Sequence, residues 1–543
     1  MDFDLTFKDW QEKIKSTLGK TEWITVLSRS ELHHDVSRGG FYSALVSNDI
    51  VDKSLENYSW DLLIGHGMPG FVTYSKGGES ITEYHRFSDD GIEPIVYWRD
   101  FHGVRENYYE ISEEFRLYFN LFEDKKSLHD CVLIHIDDNG DDIEVVKISK
   151  NEVKIKLKYI KEFLAAKKMR LAIFFDFMRF SGKSLEELKL EEMNDVVKSD
   201  DYIYSVCVRD IVIDTDKSQG WLLGKKLISG LKDFNPDIFG RNEKRKYEDF
   251  IIGIDEDGNS ILHTCDENKL ANYFGKNPDA PHYLTPVYFT RDVLKKYYDN
   301  PDKFSVDDGN ISCRGLWSLR IDNNHPKYVI AYLGDLGHLH HKEQLYWRSY
   351  NISSQEGISR VAWKRGFMAE FTDPERPDLY FKYKFEIFQK AWFDTYGWYL
   401  FKPLSKGDSH HLDALHVPTT NDQKEFDEQV LSLTKILIDS LNEKKLVNGI
   451  GLTKENPKGI DKFELFLESK KIRLPGMLEF IRNLQFLRST SVAHRKSDKN
   501  RDYAKARKYF KLEEKSHQEV FEDILIKSIW ILNSLENQLL KEK

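Results

Sequence analysis

The chain of 543 residues is 40% hydrophobic, 13% aromatic and 31% charged, with a formal net charge of −10. This length predicts roughly two to four domains, and the aromatic content excludes an extended disordered chain. The sequence shows neither a signal peptide nor an apolar run near the roughly 18 residues of a membrane helix, so we expect a cytoplasmic protein with no membrane contact.

The first 283 residues predict a mixed α and β region, which we divide into residues 1–150 and 151–283. Alternating apolar residues indicate strands, and turn residues such as Asp-Asn-Gly separate two pairs of them. The predicted elements are a strand at 92–101, a hairpin at 131–149 turning at 138–140, a helix leading into a buried strand or second helix at 151–181, a strand at 201–214 and a hairpin at 250–262.

Residues 284–420 predict an aromatic-rich α+β middle domain. The predicted elements are a helix from residue 291 that Pro301 stops and strands at 315–322 and 327–337. Recognition-type side chains are concentrated just after them, at Tyr346, Trp347, Arg348 and Tyr350. Such residues either form a stacking surface for a ligand or build the core of the domain, and we favour the core.

Residues 421–543 predict an all-α bundle, because four runs repeat their apolar residues at helical spacing and have short connections. The predicted helices span 425–446, 461–471, 476–488 and 516–540. The first follows a cap at Asn421-Asp422 and keeps five apolar residues on one face, Phe426, Val430, Leu433, Leu437 and Leu441. We therefore predict a multidomain α+β protein, in which a large mixed region precedes a C-terminal helical bundle.

The third of these helices runs into the stretch FLRSTSVAHRKS, which contains Arg488 and His494. Residues six apart in an unbroken helix are rotated by about 120° from each other. The intervening STSV residues disfavour a helix interior and predict a bend or a helix end, which would let both side chains point into one cleft. Leu484 and Leu487 would hold the preceding turn in the core.

This stretch begins a basic segment in an acidic chain. Ten Lys or Arg and four acidic residues lie between Arg488 and Lys515, a local charge of +6. Basic clusters are typical of phosphate binding, although most charge runs are solvated helix faces. Histidine can move a proton to or from a ribose hydroxyl, and arginine can hold a phosphate. Because RNA supplies its own 2′-hydroxyl nucleophile, this pair would need no metal.

The match RSTSVAH, Arg488 to His494, resembles the signature of the HEPN superfamily. That signature is an arginine, four to six residues and a histidine near the start of a late helix in a small bundle. Many members have Asn, Asp or His directly after the arginine, where this chain has Ser489. Arg482-Asn483, earlier in the same predicted helix, is the rival choice for the arginine.

The resemblance implies a C-terminal domain that dimerises through its bundle and acts as a metal-independent endoribonuclease, in phage defence or as a toxin. It implies no metal and no cofactor. His494 would be the general acid or base, and Arg488 would hold the scissile phosphate. Residues that would contact RNA are Ser489, Arg495, Lys496, Arg482 and Asn483. Residues 1–420 would then sense or bind a trigger and restrain the bundle.

Two other functions remain open on the residues alone. One is a non-catalytic protein whose bundle dimerises and whose aromatic middle domain binds a partner. The other is a regulator that binds nucleic acid through the basic run without cleaving it. The regulator predicts salt-sensitive binding with no product, whereas the enzyme predicts cleaved RNA.

Other clusters carry weaker signals. The histidine-rich stretch at 338–343 lacks the spacing of a helical H-E-x-x-H zinc site and follows a predicted strand and turn, so we do not expect it to bind a metal. We interpret two similar stretches, at 33–35 and 410–416, as surface loops. The four cysteines stand singly, which fits a reducing compartment. Nothing matches a P-loop, and we interpret the glycine-rich GHGMPG at 65–70 as a tight turn.

Overall fold

A computed structural model describes residues 4–29, 38–62, 70–85, 91–125, 130–213, 216–234, 245–354, 356–405, 407–450, 457–491 and 501–540. The chain forms two compact units, residues 1–137 with 141–243, and residues 138–140 with 244–543. It is a mixed α/β protein with a large antiparallel sheet in the first unit and helices toward the C-terminus. None of the helices in these ranges is both long and apolar enough to cross a bilayer.

Strands dominate the first unit, as its alternating residues predict. The strands are β1 Trp23–Ser28, β2 Arg38–Ser47, β3 Gly70–Lys76, β4 Glu79–His85, β5 Ile92–Pro94, β6 Val96–Arg99, β7 Tyr108–Ile111, β8 Phe122–Lys125, β9 Cys131–Ile136, β10 Asp142–Ile148, β11 Glu152–Lys156, β12 Met169–Ser181, β13 Met193–Lys198, β14 Tyr202–Ile213 and β15 Asp216–Ile228. The helices are α1 Lys8–Ser16, α2 Val51–Ser54, α3 Glu113–Tyr118, α4 Leu157–Lys167 and α5 Leu185–Leu188.

Eleven of the described strands form the main sheet, in the order β13-β14-β15-β12-β2-β1-β11-β10-β9-β8, with β5 beside β2. One face of the sheet buries alternate residues of β12, including Phe175 and Phe177, against helix residues such as Ile160 and Phe163 of α4. The alternation therefore places the core of this unit on the helix-covered face of the sheet.

Sequence-based predictions in this unit are confirmed at several elements. β9 and β10 form the predicted hairpin, and Gly140 in its turn has a φ of 76°, a left-handed conformation that glycine adopts without strain. In the stretch 151–181 the predicted helix begins only at Leu157, because the residues before it form strand β11, which pairs with β1 and β10. The alternative left open for the second part of the stretch is resolved as a buried strand, β12. The predicted strand at 201–214 is β14.

The second unit begins with a smaller sheet and ends with helices. Its strands are β16 Asp249–Ile254, β17 Ser260–Thr264, β18 Pro286–Thr290, β19 Phe304–Val306, β20 Asn310–Cys313, β21 Trp317–Asp322, β22 Tyr328–Tyr332 and β23 Asn351–Ile352. Its helices are α6 Lys295–Tyr298, α7 Leu333–Leu336, α8 His341–Arg348, α9 Arg360–Phe367, α10 Pro377–Tyr396, α11 His410–Asp413, α12 Gln423–Thr434, α13 Glu443–Leu446, α14 Gly459–Ser469, α15 Met477–Ser491, α16 Arg501–Tyr509 and α17 His517–Leu539.

Six described strands of this unit form a sheet in the order β19-β20-β21-β22-β18-β23. Trp347 of α8 is fully buried beneath it, and its indole N–H donates to the Tyr297 hydroxyl at 2.7 Å. Tyr346 and Tyr350 pack half-buried against the same core. The preference for a structural role of these aromatic residues is therefore confirmed.

The C-terminal helices share one apolar core with α10, which precedes residue 421. Buried residues of this core include Phe381, Phe388 and Trp392 of α10, Phe426 and Leu433 of α12, Leu484 and Leu487 of α15, and Ile524 and Leu532 of α17. The predicted Asp422 cap is confirmed, because its carboxylate accepts from the Lys424 N–H at 3.2 Å. The five residues predicted to share one face of the first helix are all buried.

The prediction of one continuous helix over 425–446 is wrong. α12 continues into a π-helical turn at Lys435–Asp439, and α13 begins only at Glu443. The break follows from tertiary contacts of Asn442, whose backbone N–H donates to the Leu400 carbonyl at 2.9 Å and whose amide donates to the Tyr399 carbonyl at 3.2 Å. These bonds replace the hydrogen bonds that would continue the helix.

Candidate functional site

The orientation of α15 about its own axis determines which of its side chains face the core. Five apolar residues at helical spacing are buried along it, Met477, Phe480, Ile481, Leu484 and Leu487. Because Leu484 and Leu487 are almost fully buried, as predicted, they hold the turn that precedes Arg488 in the core. The neighbouring Arg488 side chain therefore lies at the rim, where 29% of its surface is exposed.

At this rim Arg488 pairs with Asp439, the last residue of the π-helical turn that follows α12. Its Nη1 donates to Oδ1 and Oδ2 of Asp439 at 2.7 and 2.8 Å. The aspartate side chain is 34% exposed, so solvent reaches the pair. The guanidinium group of Arg488 thus binds a carboxylate, and a phosphate is an oxyanion of the same kind.

The histidine of the predicted pair, His494, lies outside the described residues, as do Arg495 and Lys496. Ser489 lies in the last turn and a half of α15. The structure therefore places the arginine of the motif and the backbone that leads toward the histidine. The basic run resumes in α16, which packs beside α15.

Arg482 and Asn483 of α15 have different surroundings from Arg488. Nη2 of Arg482 donates to Glu464 at 2.8 Å and to Asp461 at 3.3 Å, both on α14. Asn483 is buried, and its amide donates to the Glu479 carbonyl at 2.9 Å. Arg482 and Arg488 therefore engage carboxylates of different elements, as their six-residue spacing on one helix requires.

Asp439 belongs to a polar face of α12 and its π-helical turn that the sequence analysis did not single out. Lys435 and Ser432 lie on the same face, about one and two turns earlier. The hydroxyl of Ser432 lies 3.0 Å from Nδ1 of His411, and the Lys435 ammonium lies 4.0 Å from Asp408. The spacing of residues 432, 435 and 439 indicates one face of a helix. Only the fold shows that Asp439 on this face contacts Arg488.

His411 of this neighbourhood is half-buried on the short helix α11. Burial is the largest cause that lowers the pKa of His411, and the charges of His410 and Lys435 add to it. The ring is therefore neutral at neutral pH, so that Nδ1 can accept a hydrogen bond from the Ser432 hydroxyl.

The prediction of a surface loop at 410–416 is wrong for His416, which is buried. Its ring stacks on Tyr298, with the ring centroids 3.8 Å apart. Its Nδ1 lies 2.6 Å from the Ala414 carbonyl and its Nε2 lies 3.1 Å from Oε1 of Glu425. Both ring nitrogens of His416 therefore have an oxygen partner.

Glu425 receives several hydrogen bonds at this position. Burial by itself would raise the pKa of its carboxyl, but His416, the Thr419 backbone N–H and the Thr420 hydroxyl together hold that pKa well below its usual range. The distances are 2.7 Å from the Thr419 nitrogen and 2.7 Å from the Thr420 hydroxyl. The ionised carboxylate is therefore part of the folded structure.

We expect Glu425→Gln to destabilise the protein at pH 7 and to matter less in acid. A carboxyl whose folded pKa lies below its unfolded value of about 4.3 stabilises the fold above that pH and loses this contribution as the pH falls through the folded pKa. Urea unfolding of wild type and variant between pH 7 and pH 3 measures the difference. Glu428→Gln, an exposed change on the same helix, is the control. A difference that stays constant with pH would contradict the expectation.

A cavity of about 650 Å³ lies beside this cluster, lined by Lys295, Tyr298, His411, His416, Glu425 and Ser432 among others. The charged side chains at its mouth are paired with each other. The Lys295 ammonium lies 3.8 Å from Asp299, and the Lys424 ammonium lies 3.7 Å from Glu428. The lining as a whole carries four carboxylates, those of Asp299, Asp422, Glu425 and Glu428, against the two ammonium groups of Lys295 and Lys424.

Side chains of the histidine-rich stretch at 338–343 contact residues from other parts of the same unit. Nε2 of His341 lies 2.8 Å from Glu248, and Glu343 is buried and accepts from the Tyr297 hydroxyl at 2.8 Å. In the part of the chain that the structure describes, no three His, Cys, Asp or Glu side chains are grouped to hold a metal ion. The stretch 33–35 and most of the glycine-rich 65–70 lie outside the described residues.

The fold and site define a mixed α/β protein whose C-terminal helices present an arginine–aspartate pair at the rim of their core. No protein-family model, no curated protein and no solved structure matches the chain. Its function therefore has to follow from its own residues.

Proposed function

We propose that the protein is a metal-independent endoribonuclease of the HEPN type, acting in the cytoplasm as an effector of phage defence or as a toxin. The observation that supports this most directly is the position of Arg488. It lies beside two buried leucines at the rim of a helical core, and its guanidinium binds an oxyanion there. The same group could hold the phosphate of an RNA strand.

In the proposed reaction, the 2′-hydroxyl of the RNA attacks the adjacent phosphate, and His494 moves a proton as general base or acid. Arg488 stabilises the charge that develops on the phosphate oxygens. The bond between the phosphorus and the 5′-oxygen of the next nucleotide breaks, and that oxygen takes a proton. The expected products therefore carry a 2′,3′-cyclic phosphate and a 5′-hydroxyl. Ser489, Arg495 and Lys496 would orient the RNA on either side of the scissile bond.

One chain supplies one such pair, whereas the reaction needs both a base and an acid. A homodimer formed through the C-terminal helices would bring two pairs together and supply both. The preceding 420 residues would then bind a trigger and control the helical domain, since a small catalytic bundle needs no support of this size.

The test is incubation of the purified full-length protein with total RNA and tRNA in excess EDTA, beside His494→Ala. We expect cleavage that persists in EDTA, products with 2′,3′-cyclic phosphate ends, and a roughly 100- to 10,000-fold lower rate in the variant. Cleavage that requires a metal, or that the variant retains, would contradict the proposal. RNA that is bound in a salt-sensitive manner but stays intact would favour the regulator instead.

A further inference from the structure

The pair formed by Arg488 and Asp439 bears on how the proposed site is controlled. The carboxylate places both oxygens within 2.8 Å of Nη1 of Arg488. Carboxylates and phosphates are recognised by arginine through the same planar donors and at similar distances. Asp439 therefore occupies a position at Arg488 that an RNA phosphate would need, and its negative charge opposes the approach of that phosphate.

The backbone around Asp439 is fixed by burial of its neighbours. Ile436, Leu437 and Ile438 of the π-helical turn are all buried in the helical core. This anchoring leaves the carboxylate at the rim, where it faces Arg488.

Opening of the pair needs a change only at the two side chains. Both are partly exposed, Arg488 at 29% and Asp439 at 34%, so each can turn toward solvent while the anchored backbone stays in place. The pair is closed in this structure through two hydrogen bonds, and it is open when these are replaced by bonds to water or to a phosphate.

The nearest cation on the same helix face is also close to a carboxylate, since the Lys435 ammonium lies 4.0 Å from Asp408. Asp408 and Asp439 both act on His411 electrostatically, which places the two carboxylates around one polar patch. Lys435 partly offsets the charge of Asp408, whereas Asp439 is the carboxylate in direct contact with Arg488.

We propose that Asp439 is an intramolecular competitor of the scissile phosphate, so that the pair with Arg488 must open before RNA binds. This inference rests on the proposed ribonuclease function, since it concerns the regulation of the same site. The closed pair keeps the protein at low activity, and a trigger acts by favouring the open state.

Asp439→Asn in the full-length protein tests the inference, because it removes the charge and keeps the size of the side chain. We expect it to bind a 2′-O-methyl RNA oligonucleotide, which lacks the attacking hydroxyl, roughly five- to tenfold more tightly than wild type. We expect cleavage of unmodified RNA at limiting concentration to rise by a similar factor. Glu428→Gln is the matched control, since it removes one carboxylate from the same helix away from Arg488.

The gain should also depend on Arg488, so Asp439→Asn combined with Arg488→Ala should bind no more tightly than Arg488→Ala alone. If wild type cleaves RNA and Asp439→Asn binds and cleaves no better than Glu428→Gln, the inference is overturned and the proposed function stands. A fall in cleavage would overturn it too, and would make Asp439 a positioning residue for Arg488. If no variant cleaves but Asp439→Asn still binds more tightly through Arg488, the competitor role stands and the nuclease function falls.

Discussion

Arg488→Ala is expected to lower the rate of RNA cleavage by about 100- to 1,000-fold, whereas Arg482→Ala lowers it by no more than about threefold. A preorganised donor aimed at the charge of the transition state contributes far more than a charge elsewhere on the surface. Arg488 lies at the rim of the helical core next to the backbone that leads to His494. Arg482, the rival choice for the arginine and a predicted RNA contact, also binds carboxylates, but those of α14 on another side of α15. The comparison of the two variants therefore decides between the two arginines.

The two variants form a matched pair, because both remove one arginine from α15 and both break contacts with carboxylates. The general loss of positive charge is therefore the same, and only the position differs. Single-turnover rates with a labelled RNA, measured in EDTA, give the comparison. The thermal unfolding midpoint of each variant shows whether the fold is retained. Equal losses of rate in the two variants would remove Arg488 from the proposed site.

Asp378→Ala is expected to lower the free energy of unfolding by about 3–5 kcal/mol, the largest stability change we expect from a polar substitution in this chain. Asp378 and Arg376, at the start of α10, are almost completely buried. Nε and Nη2 of Arg376 donate to the two oxygens of Asp378 at 3.2 Å each, and the Val417 backbone N–H donates to Oδ2 at 3.0 Å. Removing the carboxylate leaves a buried arginine without its counter-charge.

The electrostatic surroundings of Asp378 support the same expectation. Burial alone would raise the pKa of its carboxyl, but Arg376, with Arg291 nearby, holds that pKa well below its usual range. Urea unfolding at pH 7 measures the loss. Asp373→Ala, at an exposed position close by in the chain, is the control and should change the unfolding free energy by no more than about 0.5 kcal/mol. Similar values for the two variants would contradict the buried-pair argument.

Local sequence signals predicted many elements correctly. The Asp-Asn-Gly turn of the β9–β10 hairpin, the Asp422 cap and the apolar face of α12 depend on residues close together in the chain, and all three are confirmed. The aromatic spacing of α10, at Phe381, Phe385, Phe388 and Trp392, is the same kind of signal, although the predicted elements do not include this helix. Helix α16 is also absent from them, because charged residues dominate the basic run in which it lies.

Other features depended on partners far away in the chain. Asp439 meets Arg488 across 49 residues, and no local pattern indicates that pairing. The break after the π-helical turn arises from backbone groups at Tyr399 and Leu400, and the burial of His416 from the ring of Tyr298. Each of these outcomes was decided by which elements pack together.

The sequence by itself thus determined the mixed α and β fold class, the alternation of the strands, the apolar faces of the C-terminal helices and the candidate motif at Arg488. These follow from periodicity and turn chemistry, which act over a few residues. Only the tertiary structure decided which charges are paired, that His416 is buried and that Asp439 is the carboxylate that contacts Arg488. Burial and electrostatic pairing depend on distances in space, and residues far apart in sequence set those distances only once the core has formed.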